Sequence, residues 1–244
     1  MDESSREASP LQNHLSEEKG DVHDDTDTDP TKDPLKFIFG VIFDQGIQWE
    51  RAWRAPSELE KRLGHLEITK IAHMKQADLE EILLLYPALH RMNAKLAGWL
   101  ISACRLLIRK YDGKPEKIWE GSPTAHDLED RFREFSGIGQ KKGSMAVNIL
   151  VRDYEIPIKG TKSGIDISYD IHVRRVFLRT GLASRDTEDE VLSAARSLAP
   201  EYPGALDHPA WLVGMKWCHR TNPECGTCAL SSTCPKISRN VQLL

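Results

Sequence analysis

The sequence predicts an all-α fold, and three observations predict it. Apolar residues return at i, i+3, i+4 and i+7, most clearly at Leu96, Trp99, Leu100, Ala103, Cys104 and Leu107, the spacing that lines one face of a helix. No stretch alternates apolar and polar residues for long enough to make a sheet, and no internal repeat is present. Glycine and proline fall between the periodic segments, at Pro87, Gly113, Pro115, Gly137 and Gly139, where helices are expected to stop and turn.

The first thirty residues stand outside this pattern. The chain of 244 residues has a net charge of −4, yet residues 1–30 hold ten acidic residues and two basic ones, a balance of −8 that leaves +4 for residues 31–244. A charged stretch rich in Ser, Thr and Asp cannot build a core, so residues 1–32 are expected to be an acidic disordered tail. Order is expected from Asp33-Pro34, where PLKFIFGVIF turns apolar. Leu79, Ile82, Leu83 and Leu85 form a helical stretch ended near Tyr86-Pro87. The stripe from Leu96 to Leu107 forms the next helix, closed by Gly113 and Pro115, and Cys104 on that stripe reads as a buried core thiol. Thr124 caps a helix running to Phe135, with Asp127 three residues on. Residues 139–151 and 170–180 make two more helices, and Leu192, Ala195 and Leu198 mark a short one. Trp211, Leu212, Met215 and Trp217 lead into the cysteine-rich end, and IPIKGTKSGIDISY, ending at Tyr169, reads as an inserted loop. The expected division is a helical domain over 33–164, with a helix–turn–helix unit at about 124–151, and a second domain over 165–244.

No apolar run approaches the ~20 residues that cross a bilayer, and the start is neither basic nor apolar enough for a secretory or organellar address. A cytoplasmic monomer is expected. The mildly basic body fits a nucleic-acid partner without demanding one.

Three segments carry chemistry. Cys218, Cys225, Cys228 and Cys234 follow C-x6-C-x2-C-x5-C within seventeen residues; four thiolates on one short loop suit an iron–sulfur cluster, with tetrahedral zinc as the alternative. Disulfides need an oxidising compartment for which the sequence offers no address. The turn at Gly137-Ile138-Gly139 lets backbone N–H groups at a helix start approach a phosphate, and Lys141 sits in the first turn of that helix, where the dipole disfavours its charge. Adjacent Lys142 leaves the register of the nucleophile open. Asp170 heads a basic amphipathic helix, as a cap or as a working carboxylate. On that helix His172 reads as a structural hydrogen-bonder, and Arg174, Arg175 and Arg179 as phosphate contacts or a solvated face.

In this order, helix–Gly-Ile-Gly–helix, then D-x-H-V-x-R-V, then the cysteine run, the chain resembles the endonuclease III group of the helix-hairpin-helix DNA glycosylases, from Pro34 to Cys234. The resemblance implies a two-lobed helical fold with a C-terminal [4Fe-4S] cluster loop, bound to double-stranded DNA that contains a damaged base or an abasic site. It implies a base-excision glycosylase with AP-lyase activity, acting on a damaged base such as an oxidised pyrimidine through a lysine Schiff base and β-elimination. A [4Fe-4S] protein that binds damaged or distorted DNA with weak or no catalysis is the alternative. Carried over by residue, Lys141 is the Schiff-base lysine, Asp170 the catalytic aspartate and Gln45 the glutamine that fills the gap left by the extruded nucleotide. The four cysteines are the cluster ligands. Read from this sequence's own residues, Arg91, Gly137, Gly139, Lys142 and Arg174 are the further candidate DNA contacts. The chain departs from the family at Ser136, where a proline is usual, at Lys142-Gly143, where Thr-Ala is usual, and at Arg91, in place of an apolar wedge. These departures flank the base pocket, so the resemblance does not carry over a particular damaged base.

Overall fold

The computed structural model describes residues 28–237, so residues 1–27 of the expected tail, and residues 238–244, lie outside the described residues. Residues 28–32, assigned to that tail by composition, instead form a turn. The Asp29 carboxylate accepts from the Thr31 N–H at 2.8 Å and the Thr31 hydroxyl at 2.6 Å, and pairs with Lys32 at 3.0 Å. One well-placed carboxylate suffices for such a turn, which is why a composition argument overlooks it.

Among the described residues every regular element is helical. They fall into two compact units, and the chain passes from one to the other at Gly160–Thr161, inside the segment read as a loop.

The first unit contains α1 (Pro34–Phe43), α2 (Trp49–Leu63), α3 (Ile68–His73), α4 (Gln76–Leu84), α5 (Asn93–Tyr111), a 3-10 turn (Pro115–Ile118), α6 (Ala125–Arg133) and α7 (Gln140–Arg152). Asp33 caps α1 by accepting from the Lys36 N–H, and Pro34 takes the first helical position, where its missing N–H costs nothing. Every residue from Leu35 to Phe43 is buried, and apart from Lys36, whose ammonium pairs with Glu60 at 2.9 Å, α1 is apolar all round. Phe37 meets Trp53 at 5.6 Å, Trp119 at 5.9 Å and Phe132 at 6.3 Å between ring centroids.

α2 contradicts a purely local reading, because Pro56 lies inside it. Proline in a helix interior costs about 3 kcal/mol. Here Ala52, Trp53, Ala55, Pro56 and Leu59 are all buried, and that shared burial outweighs the lost hydrogen bond. α5 turns the predicted stripe inward, and burial pushes the Cys104 thiol up to about 12, which keeps it protonated and inert. α6 begins at the predicted capping box: Thr124 Oγ1 accepts from the Asp127 N–H while the Asp127 carboxylate accepts from Thr124.

The second unit contains α8 (Ile171–Arg179), α9 (Glu188–Leu198) and α10 (Asp207–Lys216), with 3-10 turns at Lys162–Gly164 and Pro203–Leu206. Val173, Phe177, Val191, Leu206, Val213 and Leu230 form its core. The later part of the inserted loop joins that core at Ile167, and Ile165 is buried beside it in sequence. The Ile165 carbonyl accepts from the Gly204 N–H at 2.8 Å, and the Asp207 carboxylate from the Ser168 N–H at 2.6 Å. α8 and α10 meet at Gly214, where an added Cβ would stand 2.7 Å from His172 Cβ and 2.8 Å from its carbonyl oxygen. Gly214→Ala is therefore expected to lower stability by about 1–3 kcal/mol, as overpacking against backbone does. A urea transition with an earlier midpoint and unchanged slope would register it; a midpoint equal to wild type would refute the close approach.

Candidate functional site

The turn between α6 and α7 is closed by the Ile138 N–H donating to the Phe135 carbonyl at 3.0 Å. Its third residue, Gly137, has φ +86°, the setting that a type II turn demands and that an L side chain resists. The glycine is needed twice, because a Cβ there would also sit 2.6 Å from the Trp99 ring. Ser136, in place of a proline, has its hydroxyl 3.4 Å from that of Ser102 on α5. Gly139 is the N-cap of α7, with open space where a Cβ would point and no side-chain cap. Gln140, Lys141 and Lys142 then form the first turn of α7, whose dipole favours an anion.

The two lysines differ sharply. Lys141 is half-buried, whereas Lys142 is 5% exposed. The Lys142 ammonium donates to the Ile42 carbonyl at 3.0 Å, stands 3.4 Å from Gln45 Oε1 and lies 5.6 Å from the Trp99 ring centroid. Burial lowers its pKa to about 8, with Asp44 opposing and Lys141 adding to the fall. The side chain is thus turned inward, toward the end of α1 and the Gln45 loop.

Gln45 is exposed, on the short loop after α1. Its carbonyl accepts from His90 Nε2 at 2.9 Å, while His90 Nδ1 accepts from the Met92 N–H at 3.0 Å. Those two bonds require a proton on Nε2 alone. Burial, with Arg91, Arg51 and Lys142 nearby, lowers the His90 pKa and keeps it in that form, the Gln45 carbonyl opposing. Arg91 is exposed and its guanidinium lies over Gly46, where a Cβ would come within 2.2 Å of Nη2. Gln45, Arg91, Gly137 and Lys142 thus gather around Trp99 and His90 within one unit. Those last two were not singled out by sequence: Trp99 showed only as one more stripe residue, and His90 gave no signal of its own.

In the second unit Asp170 is 6% exposed and caps α8, its Oδ1 accepting from the His172 N–H at 2.7 Å. His172 Nδ1 accepts from Arg175 at 3.0 Å, a structural bond. Arg174, expected at a phosphate, pairs instead with Asp186 at 3.2 Å and stacks 5.5 Å from the Tyr169 ring centroid. Opposite charge and an aromatic face inside its own unit hold it. Arg175 and Arg179 both turn to carbonyls of their own unit. Arg175 donates to the carbonyls of Cys218, Ile171 and Gly214. Arg179 donates to the His219 carbonyl at 2.6 Å and the Arg220 carbonyl at 2.9 Å, and reaches Cys218 Sγ at 3.4 Å.

The cysteine loop is fastened accordingly. Cys218, Cys228 and Cys234 pack against the second core. Backbone N–H groups point at sulfur from Leu230 to Cys228 and from Lys236 to Cys234, each at 3.4 Å. Burial raises the Cys228 pKa, the Leu230 N–H lowers it, and the nearness of Cys218, Cys234 and Cys225 raises it again. Among the described residues no group of three or more His, Cys, Asp or Glu side chains is drawn in tightly enough to hold a metal ion, and no helix is long and apolar enough to cross a membrane.

No protein-family model matches the chain, and no curated protein matches it in sequence. Solved structures match it in fold. Endonuclease III in a trapped covalent intermediate with DNA, and in a non-covalent DNA complex, is 18% identical over 84% of each chain, at a TM-score of 0.63. A thermostable thymine-DNA glycosylase is 14% identical over 93% of each chain, also at 0.63. The Clostridium acetobutylicum 8-oxoguanine glycosylase/lyase, bound to duplex DNA with cytosine opposite 8-oxoguanine, is 12% identical at 0.54, over 76% of this chain and 60% of that one. At these identities the likeness is one of architecture.

Proposed function

We propose that this chain, which is built on the fold of the endonuclease III group of helix-hairpin-helix DNA glycosylases, excises a damaged base from duplex DNA and nicks the strand at the resulting abasic site. The observation that carries the proposal is Lys141 on the first turn of α7, behind a glycine hairpin, in a fold shared with an enzyme caught covalently on DNA. The damaged nucleotide must leave the stack before an amine reaches its sugar, and exposed Gln45 is the side chain that would take its place.

The Lys141 Nζ lone pair then attacks the anomeric carbon. The glycosidic C–N bond breaks, and the base leaves with the bonding pair and takes up a proton. Asp170 assists that proton transfer and stabilises positive charge developing on the sugar. Loss of the amine's protons as the sugar ring opens gives an imine, which acidifies the neighbouring carbon. Removal of that carbon's proton expels the 3′ phosphate oxygen and cuts the strand. A damaged pyrimidine is the proposed substrate class.

Cys218, Cys225, Cys228 and Cys234 are the proposed ligands of one [4Fe-4S] cluster. Two sulfurs receive backbone N–H groups and one faces Arg179, donors of the kind that surround and orient metal-bound sulfur. These four cysteines would hold the cluster, which would fasten the loop that carries Lys216, His219, Arg220 and Lys236 as candidate phosphate contacts.

The test is incubation with an abasic-site duplex and sodium borohydride, which reduces an imine to a stable amine, followed by a denaturing gel. A covalent adduct is expected. Its absence from a folded protein that binds DNA would leave a monofunctional glycosylase or a binding protein without chemistry. Asp170 has its own prediction. Asparagine caps helices as well as aspartate, so Asp170→Asn is expected to slow base release by about 10²-fold or more while leaving the melting temperature close to wild type. Unchanged release would reduce Asp170 to its capping role.

A further inference from the structure

We propose that Lys142 is a positioning residue for Gln45: it fastens the end of α1 and the Gln45 loop to the hairpin helix, and contacts neither phosphate nor sugar. This rests on the glycosylase reading, in which Gln45 enters the duplex, and assigns to Lys142 a part in lesion recognition.

The geometry begins at the end of α1. The last carbonyls of a helix have no partner within it. There the Gly40 carbonyl accepts from the Asp44 N–H at 3.0 Å and the Phe43 carbonyl from the Gln45 N–H at 2.7 Å. The Ile42 carbonyl is met by Lys142 Nζ at 3.0 Å in a bond buried from solvent. A cation at this end also suits the α1 dipole. The same ammonium stands 3.4 Å from Gln45 Oε1, so one side chain, about a hundred residues away in sequence, reaches both the helix end and the glutamine. Trp99 faces the ammonium at 5.6 Å and presses on Gly137 of the hairpin, which fixes the stem of Lys142 relative to the turn. His90 holds the Gln45 backbone from the other side at 2.9 Å.

Gln45 is thus held at its backbone by His90 and at its side chain by Lys142, while the residue as a whole remains exposed. An exposed side chain that must enter a gap in DNA loses less conformational freedom on binding when it is held beforehand. Lys142 supplies that hold without being exposed itself.

Lys142→Met keeps the length of the side chain and suits a buried slot, but removes the donors. The readout is the preference for a duplex carrying a tetrahydrofuran abasic analogue over the same duplex undamaged, measured for wild type, Lys142→Met, Gln45→Ala and the double variant. Each single variant is expected to lower that preference about tenfold, the scale of a hydrogen bond to a charged group. The double variant should be no worse than Gln45→Ala, because the two act as one unit. Affinity for undamaged duplex should stay near wild type.

Additive losses in the double variant would overturn the inference. So would a uniform loss on both duplexes, the mark of a phosphate contact, or a borohydride adduct that disappears in Lys142→Met with the preference intact. A wild-type protein without any preference would remove the glycosylase reading itself, an outcome distinct from a preference that Lys142→Met leaves untouched. Should Lys142→Met fail to fold, Lys142→Leu, which also removes the donors, carries the same comparison.

Discussion

Lys141→Gln is expected to abolish the borohydride-trapped adduct and to lower strand cleavage on the order of 10³-fold or more, as loss of a covalent nucleophile does, while binding to an abasic duplex changes little. Two adjacent lysines leave the nucleophile ambiguous in sequence, and burial now separates them. Lys142 is 5% exposed and its ammonium donates to the Ile42 carbonyl. To attack a sugar it would have to abandon that carbonyl in an apolar setting, at a cost of about 1–3 kcal/mol for the orphaned acceptor. Lys141 is half-buried on the same helical turn, behind the Gly-Ile-Gly hairpin. The adduct is therefore expected to survive Lys142→Met and to vanish in Lys141→Gln. The reverse pattern would shift the register by one residue and make the depressed pKa of Lys142, about 8, the mark of the reacting amine.

What sequence revealed was local. The stripe of α5, the Thr124 capping box, the position of Asp170 at the head of α8 and the hairpin at Gly137 each depend on residues within a turn or two of one another, and periodicity and capping rules reach that far. α2 escaped individual notice because Pro56 argues against a helix locally, while burial of its inner face overrides the proline. The partners of charged side chains escaped for a related reason. Arg175 and Cys218 are 43 residues apart, and Lys142 and Gln45 97 apart, and no spacing rule links such pairs. A basic helix reads the same whether its arginines face phosphates or carbonyls. Only three-dimensional packing shows that α8 directs Arg174 to Asp186 and Arg175 and Arg179 to the cysteine loop.

That inward direction gives the second unit its weak point. Arg175 is 3% exposed, and burial works against its charge. It persists because one planar fork satisfies three carbonyls: Ile171 at 3.2 Å, Gly214 at 2.8 Å and Cys218. Arg175→Leu would leave the Gly214 and Cys218 carbonyls without this donor inside the unit, at about 1–3 kcal/mol each. That is a large share of the 5–15 kcal/mol that typically keeps a domain folded. The expected result is a melting temperature many degrees below wild type, with the cysteine loop released. Arg175→Lys should rescue little, since a point charge cannot serve diverging carbonyls as a guanidinium does. Arg179→Leu isolates the loop from the core: it removes the bonds to His219, Arg220 and Cys218 Sγ but leaves the α8–α10 contact alone. Iron retained after reconstitution should therefore fall in both leucine variants, whereas the melting temperature should fall steeply only in Arg175→Leu. A wild-type melting curve for Arg175→Leu would mean that its bonds close the loop without supporting the core, whose stability would then rest on the apolar packing around Phe177 and Val213 and on its other hydrogen bonds.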